Sequence, residues 1–203
     1  MSKTQTRDMR PKAQIEEFTF DRLSDVNMVK NEFVGGTNKR FCFGCIPCWC
    51  CPESDEDYKA YFRRNPAALK LGAVALNEDG HVIGAVQMHE HGIPQPFFDG
   101  LLHQIQPKEA YIAWMAVLDG NRGRGAGSGM LKWCQETARK RGNTRLTLGV
   151  VANNPAKRLY LRKGFKTIEK SFVDRACTNC CVSFLFGCPH SACGGEDMEM
   201  ALS

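Results

Sequence analysis

Stretches of helical and strand periodicity divide this chain into a mixed order of elements. Residues 1–12 are polar, show no apolar period and read as a disordered tail. From 14 to 20 (QIEEFTF) the spacing suits a first strand. Ser24 then precedes DVNMVKNEFV, where Val26, Met28, Val29 and Phe33 form an apolar face, so a helix capped by Ser24 is predicted. Ser54 followed by Asp57 is a capping-box signal for a second helix carrying Tyr58, Tyr61 and Phe62. Residues 71–76 and 82–88 flank Asn-Glu-Asp-Gly and predict a hairpin.

A loop containing Pro and Gly occupies 92–107. The run 110–118 (AYIAWMAVL) is almost continuously apolar, as expected of a strand buried on both faces at the centre of a sheet. A Gly-rich turn, a helix over about 127–140 and a strand over 145–151 follow. Asn154 as N-cap and Pro155 at the first helical position start a short helix that Gly164 ends. A strand from 165 and a closing strand over 197–202 complete the order. The fold class expected is α/β (α+β), with strand–turn–helix–strand at its centre.

At 203 residues and 43% hydrophobic content, one domain with a sizeable core fits better than two. It is expected to span 13–203, interrupted by cysteine-rich insertions at about 41–52 and 176–194. No apolar run approaches the roughly 18–20 residues that cross a bilayer. The N-terminus lacks the apolar centre of a secretory signal, so a cytoplasmic setting is expected. The 27 basic against 22 acidic residues give a net charge of +5, scattered along the chain. That balance mildly favours an anionic ligand, whereas nucleic-acid binding would need a concentrated basic stripe and is not predicted.

The most informative motif is Arg122-Gly-Arg-Gly-Ala-Gly-Ser128, between the buried strand and the amphipathic helix. Successive backbone N–H groups there can converge on an anion, helped by the positive end of the helix dipole. Gly123, Gly125 and Gly127 let the chain approach a phosphate unobstructed, and Arg122 and Arg124 add charge. No Gly-Lys-Ser/Thr follows, so it is not a P-loop. Nor does it have the G-x-G-x-x-G spacing of a dinucleotide fold, or an acidic residue at the end of the next strand.

Downstream, Asn153-Asn-Pro-Ala156, Leu159-Tyr160 and Gly164-Phe165 make N-x-x-A-x-x-L-Y-x-x-x-G-F. With Val117 ahead of the loop, the segment from Trp114 to Phe165 resembles the GCN5-related N-acetyltransferase (GNAT) superfamily. The resemblance implies a mixed, mostly antiparallel central sheet flanked by helices and splayed around an acyl-CoA. It further implies that backbone groups near Met115 and Val117 pair with the pantetheine arm. The loop Arg122, Gly123, Arg124, Gly125, Ala126, Gly127 and Ser128 would hold the pyrophosphate, and Asn153 would contact the pantetheine or order the strand ends. Tyr160 would protonate the departing thiolate, a role a phenol can fill because it is a donor at neutral pH. The activity implied is transfer of an acetyl group from acetyl-CoA to an amine of a small molecule or protein. The rival expectation is a CoA-ester or metal- and redox-sensing protein on the same scaffold, without turnover.

The strand before the loop departs from the pattern. Where related enzymes often place Glu or His, this chain has Tyr111 and Ala113. Glu109 shares the parity of Tyr111 and is the candidate base. His89-Glu90-His91, at the end of the preceding strand, supplies two imidazoles, His89 and His91, on one face; a polar, solvent-facing position is the simpler expectation for all three.

Ten of the eleven cysteines fall in two stretches: Cys42, Cys45, Cys48, Cys50 and Cys51, then Cys177, Cys180, Cys181, Cys188 and Cys193. Without a secretion signal a disulfide framework is not the first expectation. Cys42, Cys45, Cys48, Cys177 and Cys180 have zinc-ligand spacing, though no standard module fits all of it. Apolar neighbours such as Phe41, Trp49 and Phe184 leave lipidation, and with it membrane contact, as a second reading. Loop sequence with free thiols is the third. Cys134, on the helix after the Gly-rich loop, is expected in the core.

Overall fold

A computed structural model describes residues 13–38, 53–96, 103–151, 154–169 and 195–202. The elements run β1 (Gln14–Glu17), α1 (Leu23–Asn38), α2 (Asp55–Arg64), β2 (Gly72–Leu76), β3 (Val82–Glu90), β4 (Glu109–Val117), α3 (Ala126–Lys140), β5 (Arg145–Val151), α4 (Lys157–Arg162), β6 (Lys166–Thr167) and β7 (Gly195–Ala201). Short 3₁₀ turns at Phe20–Arg22 and Pro66–Leu71 precede α1 and β2. The seven strands form one sheet in the order β1-β2-β3-β4-β5-β7-β6. Every pairing is antiparallel except β4 with β5. The continuous apolar run of β4 therefore does lie at the centre, and the mixed, mostly antiparallel expectation holds.

The sheet separates two apolar layers. On one face Ala73, Val86, Met88, Ala110, Ile112, Leu146 and Leu148 pack against Met130, Leu131, Cys134 and Ala138 of α3 and Tyr160 of α4. On the other, Val74, Leu76, Ala85 and Ala116 meet Leu23, Val26 and Val29 of α1 and Tyr58 and Phe62 of α2. Cys134 is fully buried, as expected, and that burial pushes its thiol pKa up.

Local chemistry explains where sequence and structure part. Ser24 lies inside α1 and caps nothing, because the 3₁₀ turn at Phe20–Arg22 leads straight into the helix. Its hydroxyl bonds Asp55 instead, and Asn27 donates to the same carboxylate at 2.7 Å; these bonds, chiefly that of Asn27, hold the Asp55 pKa down. Met28 is half exposed rather than part of the apolar face. Ser54 caps α2 as predicted, accepting from Asp57 N–H at 3.1 Å. Asn154 bonds Ala156 N–H in the turn ahead of α4, and Ala156 takes the cap position.

One irregularity governs the centre of the sheet. Gln87 pairs with Trp114 and Met88 with Ile112, so Ala113 is an extra residue bulged out of β4. The bulge reverses the side-chain alternation. Ala110 and Ile112 face α3 before it, Met115 and Val117 face α3 after it, and Trp114 and Ala116 turn toward α1 and α2.

Candidate active site

The pairing of β4 with β5 covers Glu109–Ile112 against Arg145–Leu148 and stops there. From Ala113 to Val117, β4 has no strand on its β5 side among the described residues, while β5 runs on to Val151 along β7. A wedge therefore opens between two parallel strands. Along its β4 edge lie backbone N–H and C=O groups that strand pairing would otherwise satisfy.

The Gly-rich loop follows β4 at the open end. Gly123 and Gly125 sit at φ +80° and +82°, the left-handed region that side-chain-bearing residues enter only with strain. Gly125 is the N-cap of α3 and supplies no side-chain cap, so the first-turn N–H groups at Ala126, Gly127 and Ser128 face outward uncapped. A 15-residue helix behind them contributes the positive end of its dipole. Arg122 and Arg124 are exposed. Arg122 pairs with Asp119 at 2.9 Å, a surface contact that a phosphate could readily displace.

The short helix α4 is fixed to this loop. A Cβ on Gly127 would meet Leu159 Cδ2 at 3.1 Å, so the start of α3 and the body of α4 touch at that glycine. Tyr160, next to Leu159, is buried at 8% exposure and makes an edge contact with Phe165 at 5.9 Å between ring centroids. Burial, reinforced by the neighbouring Cys134, raises its phenol pKa to about 12. Tyr160 therefore keeps its proton throughout the neutral range and is a hydrogen-bond donor there.

On the opposite face of β3 and β4, a cavity of about 240 Å³ lies under α1 and α2. Gln87 and His89 of β3 and Trp114 of β4 line it, with Tyr61 from α2. Asn27 and Asn31 of α1 hold the backbone of Glu53 at 2.9 and 3.0 Å, which anchors the entry to α2 beside the cavity. Lys30 meets the Glu53 carboxylate at 2.6 Å and lies over the Tyr58 ring.

The candidate bases fall in unequal positions. Glu109 does not reach the wedge. It sits in the closed half of the β4–β5 pair at 1% exposure, bonded by His103 at 2.8 Å, Gln106 N–H at 2.8 Å, Arg145 at 2.9 Å and the Thr147 hydroxyl. Burial alone would raise its pKa; the bonds from His103, Thr147 and Gln106 outweigh burial and lower it to about 2. Tyr111 is half-buried, its ring stacked on His103 at 4.4 Å. The expectation of a polar surface at 89–91 is corrected by burial. Only His91 is exposed, beyond the end of β3, and it shares no strand face with His89. His89 is 1% exposed inside the cavity wall, and Glu90 is clamped by Arg141 and Asn143, both at 2.7 Å.

Three residues of this region escaped the sequence reading. Gln87 was detectable as the one amide in the apolar strand VIGAVQM. His103 gave no signal, since only folding brings its loop to Glu109. Trp114 was read as strand core because the bulge that turns it toward the cavity has no sequence signature. Asn153 and both cysteine clusters lie outside the described residues. Among the described residues no group of three or more His, Cys, Asp or Glu gathers as a metal site. No helix among them is long and apolar enough to cross a membrane.

A family model, Acetyltransferase (GNAT) family, matches residues 41–165. In fold the chain is similar to a GCN5-related N-acetyltransferase from Kribbella flavida (TM-score 0.62, 19% identity, 94% of this chain and 98% of that one). It is similar also to yncA from Salmonella typhimurium, solved with its cofactor acetyl-CoA (TM-score 0.62, 16% identity, 95% of each chain). A phosphinothricin acetyltransferase from Sinorhizobium meliloti in complex with AcCoA gives a TM-score of 0.64 at 15% identity, covering 95% of this chain and 89% of that one. No curated protein matches the chain.

Proposed function

The chain belongs to the GNAT acetyltransferase family, and from that premise we propose that it transfers the acetyl group of acetyl-CoA directly to a primary amine. One observation carries the reading: β4 and β5 part after Ile112 and Leu148, and the glycine loop with its uncapped helix end lies at the open side. The edge of β4 around Met115 and Val117 would pair with the amide-bearing arm of the coenzyme. The N–H groups from Gly123 to Ser128, with Arg122 and Arg124, would take the pyrophosphate. Asn153 keeps the role implied by resemblance, contact with the pantetheine.

In the reaction the amine nitrogen attacks the thioester carbonyl carbon, the C–S bond breaks, and the sulfur leaves as thiolate. The amine gives up one proton and the thiolate gains one, leaving an amide and free CoA. Tyr160 is the group we assign to the leaving sulfur. Moving a proton from a phenol near 12 to a thiolate near 8.5 climbs by about 5 kcal/mol. Its contribution is therefore chiefly a hydrogen bond that stabilises the developing charge, with net protonation completed from the amine side.

For the amine proton we assign His89, which lines the cavity on the face opposite the loop. Glu109 serves poorly as a base, since its oxygens are already bonded and its acidity is high. Its role in this reading is to hold the closed half of the strand pair.

The test is release of free thiol from acetyl-CoA across a broad amine panel, with acetyl-CoA binding measured in parallel by calorimetry. The expected result is binding together with amine-dependent thiol release. Binding without release to any amine would favour the non-catalytic CoA-ester sensor instead.

A further inference from the structure

We propose that the 240 Å³ cavity beneath α1 and α2 is the acceptor site and that it selects a small primary monoamine on an aromatic body. The inference rests on the acetyltransferase reading and extends it to the substrate class. Its first support is position. Gln87 and Trp114, both in the cavity wall, are register partners across β3 and β4. Trp114 belongs to the half of β4 that has no β5 partner among the described residues, one residue past the bulge that begins the wedge. An amine held at this level stands at the stretch of β4 where the wedge assigned to the thioester opens.

Gln87 gives the second support. The residue is 3% exposed, and its amide nitrogen donates to Ala68 O at 3.2 Å and Met88 O at 2.9 Å. Those two bonds fix which end of the amide is oxygen, because a flipped amide would lose both donors. Its Oε1 has no hydrogen-bond partner among the described residues. A buried carbonyl oxygen without a donor is costly, and an amine N–H is the matching donor.

The walls and the charge define the rest of the molecule. Phe62 and Tyr58 form a buried edge-to-face pair at 5.1 Å, and Tyr61 meets Phe62 at 5.0 Å. The Tyr61 hydroxyl donates to Pro94 O at 2.9 Å, which pins its ring beside the cavity. With the half-buried Trp114 these rings suit a flat apolar body. The charged lining is balanced: Lys30 and Arg64 against Glu53 and Asp57, with Glu53 already paired to Lys30. Such a site has no net field to draw in a polyamine, and its volume suits a small amine better than a folded chain end.

The experiment compares 2-phenylethylamine, putrescine and a short peptide with a free N-terminus in the thiol-release assay. Binding of acetyl-CoA, and of 2-phenylethylamine in the presence of CoA, is followed by calorimetry. Phenylethylamine should exceed the other two in kcat/KM by about 100-fold. Trp114→Ala and Gln87→Leu should each raise its KM about 10-fold while leaving the acetyl-CoA Kd within about 2-fold, and Trp114→Phe should restore much of the loss. Preference for putrescine or the peptide would overturn the inference and leave the acetyltransferase reading standing. Phenylethylamine binding that is lost in Trp114→Ala, without thiol release from any amine, would overturn the acetyltransferase reading and support the cavity assignment. If phenylethylamine neither binds nor is acetylated, the cavity assignment is wrong.

Discussion

The two halves of the β4–β5 strand pair differ in almost everything except strand identity. In the closed half, Glu109–Ile112 against Arg145–Leu148, the backbone ladder is complete and a buried carboxylate is surrounded by its own donors. In the open half, among the described residues, Ala113–Val117 presents a bare backbone edge toward β5, and Gln87 at the same level keeps an amide oxygen without a hydrogen-bond partner. The lesson is that polar groups satisfied within the protein hold shape, and polar groups left unsatisfied beside a cleft are where a ligand gains most. The closed half acts as the fixed end of the wedge; the open half is where coenzyme binding is assigned.

The largest expected effect lies in the open half. Tyr160→Phe should lower kcat about 100-fold, with the acetyl-CoA Kd changed by less than about 3-fold, read from steady-state thiol release and calorimetry. Equal loss of affinity would make Tyr160 a packing residue. Because its pKa is raised to about 12, ionisation of Tyr160 should impose no loss of rate anywhere below about pH 11.

The closed half should respond in the opposite currency. Glu109→Gln should cost about 2–4 kcal/mol of unfolding free energy in urea while leaving KM for both substrates nearly unchanged. Its folded pKa is about 2 against an ordinary 4.5, so its stabilisation is complete above about pH 4.5 and is lost as pH falls toward 2. The variant should be less sensitive to acid over that window. Loss of turnover with stability intact would return Glu109 to the list of bases.

Gly125→Ala tests the loop between the two. A Cβ at φ +82° costs about 1–2 kcal/mol, so acetyl-CoA affinity should fall about 10-fold, with a lower melting temperature. The smallest effect is expected at the edge of the cavity. Ser54→Ala removes the cap of α2 and should cost about 1 kcal/mol in urea unfolding, with acetyl-CoA binding unchanged.

The element order was legible because it rests on local spacing: the apolar run of β4, the capping pair Ser54 and Asp57, and the glycine-spaced loop are contiguous signals. The donor side of the candidate site was legible for the same reason, since backbone N–H groups at a helix start need only neighbouring residues of the right kind. The cavity proposed for the acceptor was not, because it joins β3, β4, α1 and α2 through contacts far apart in sequence.

The chain by itself determined that a glycine loop of phosphate-binding type follows a central strand, and that a tyrosine stands at its place downstream. Only tertiary structure decided what surrounds those residues. Folding buried Glu109 among His103, Gln106, Arg145 and Thr147, which tie up the carboxylate that strand parity had offered as a base. The bulge at Ala113 turned Trp114 away from α3 and into the cavity. Parity and spacing are one-dimensional properties, whereas burial and hydrogen-bond supply depend on which distant segments arrive beside a side chain. The glycine loop is thus a property of neighbouring residues, and the cavity under α1 and α2 is a product of the fold.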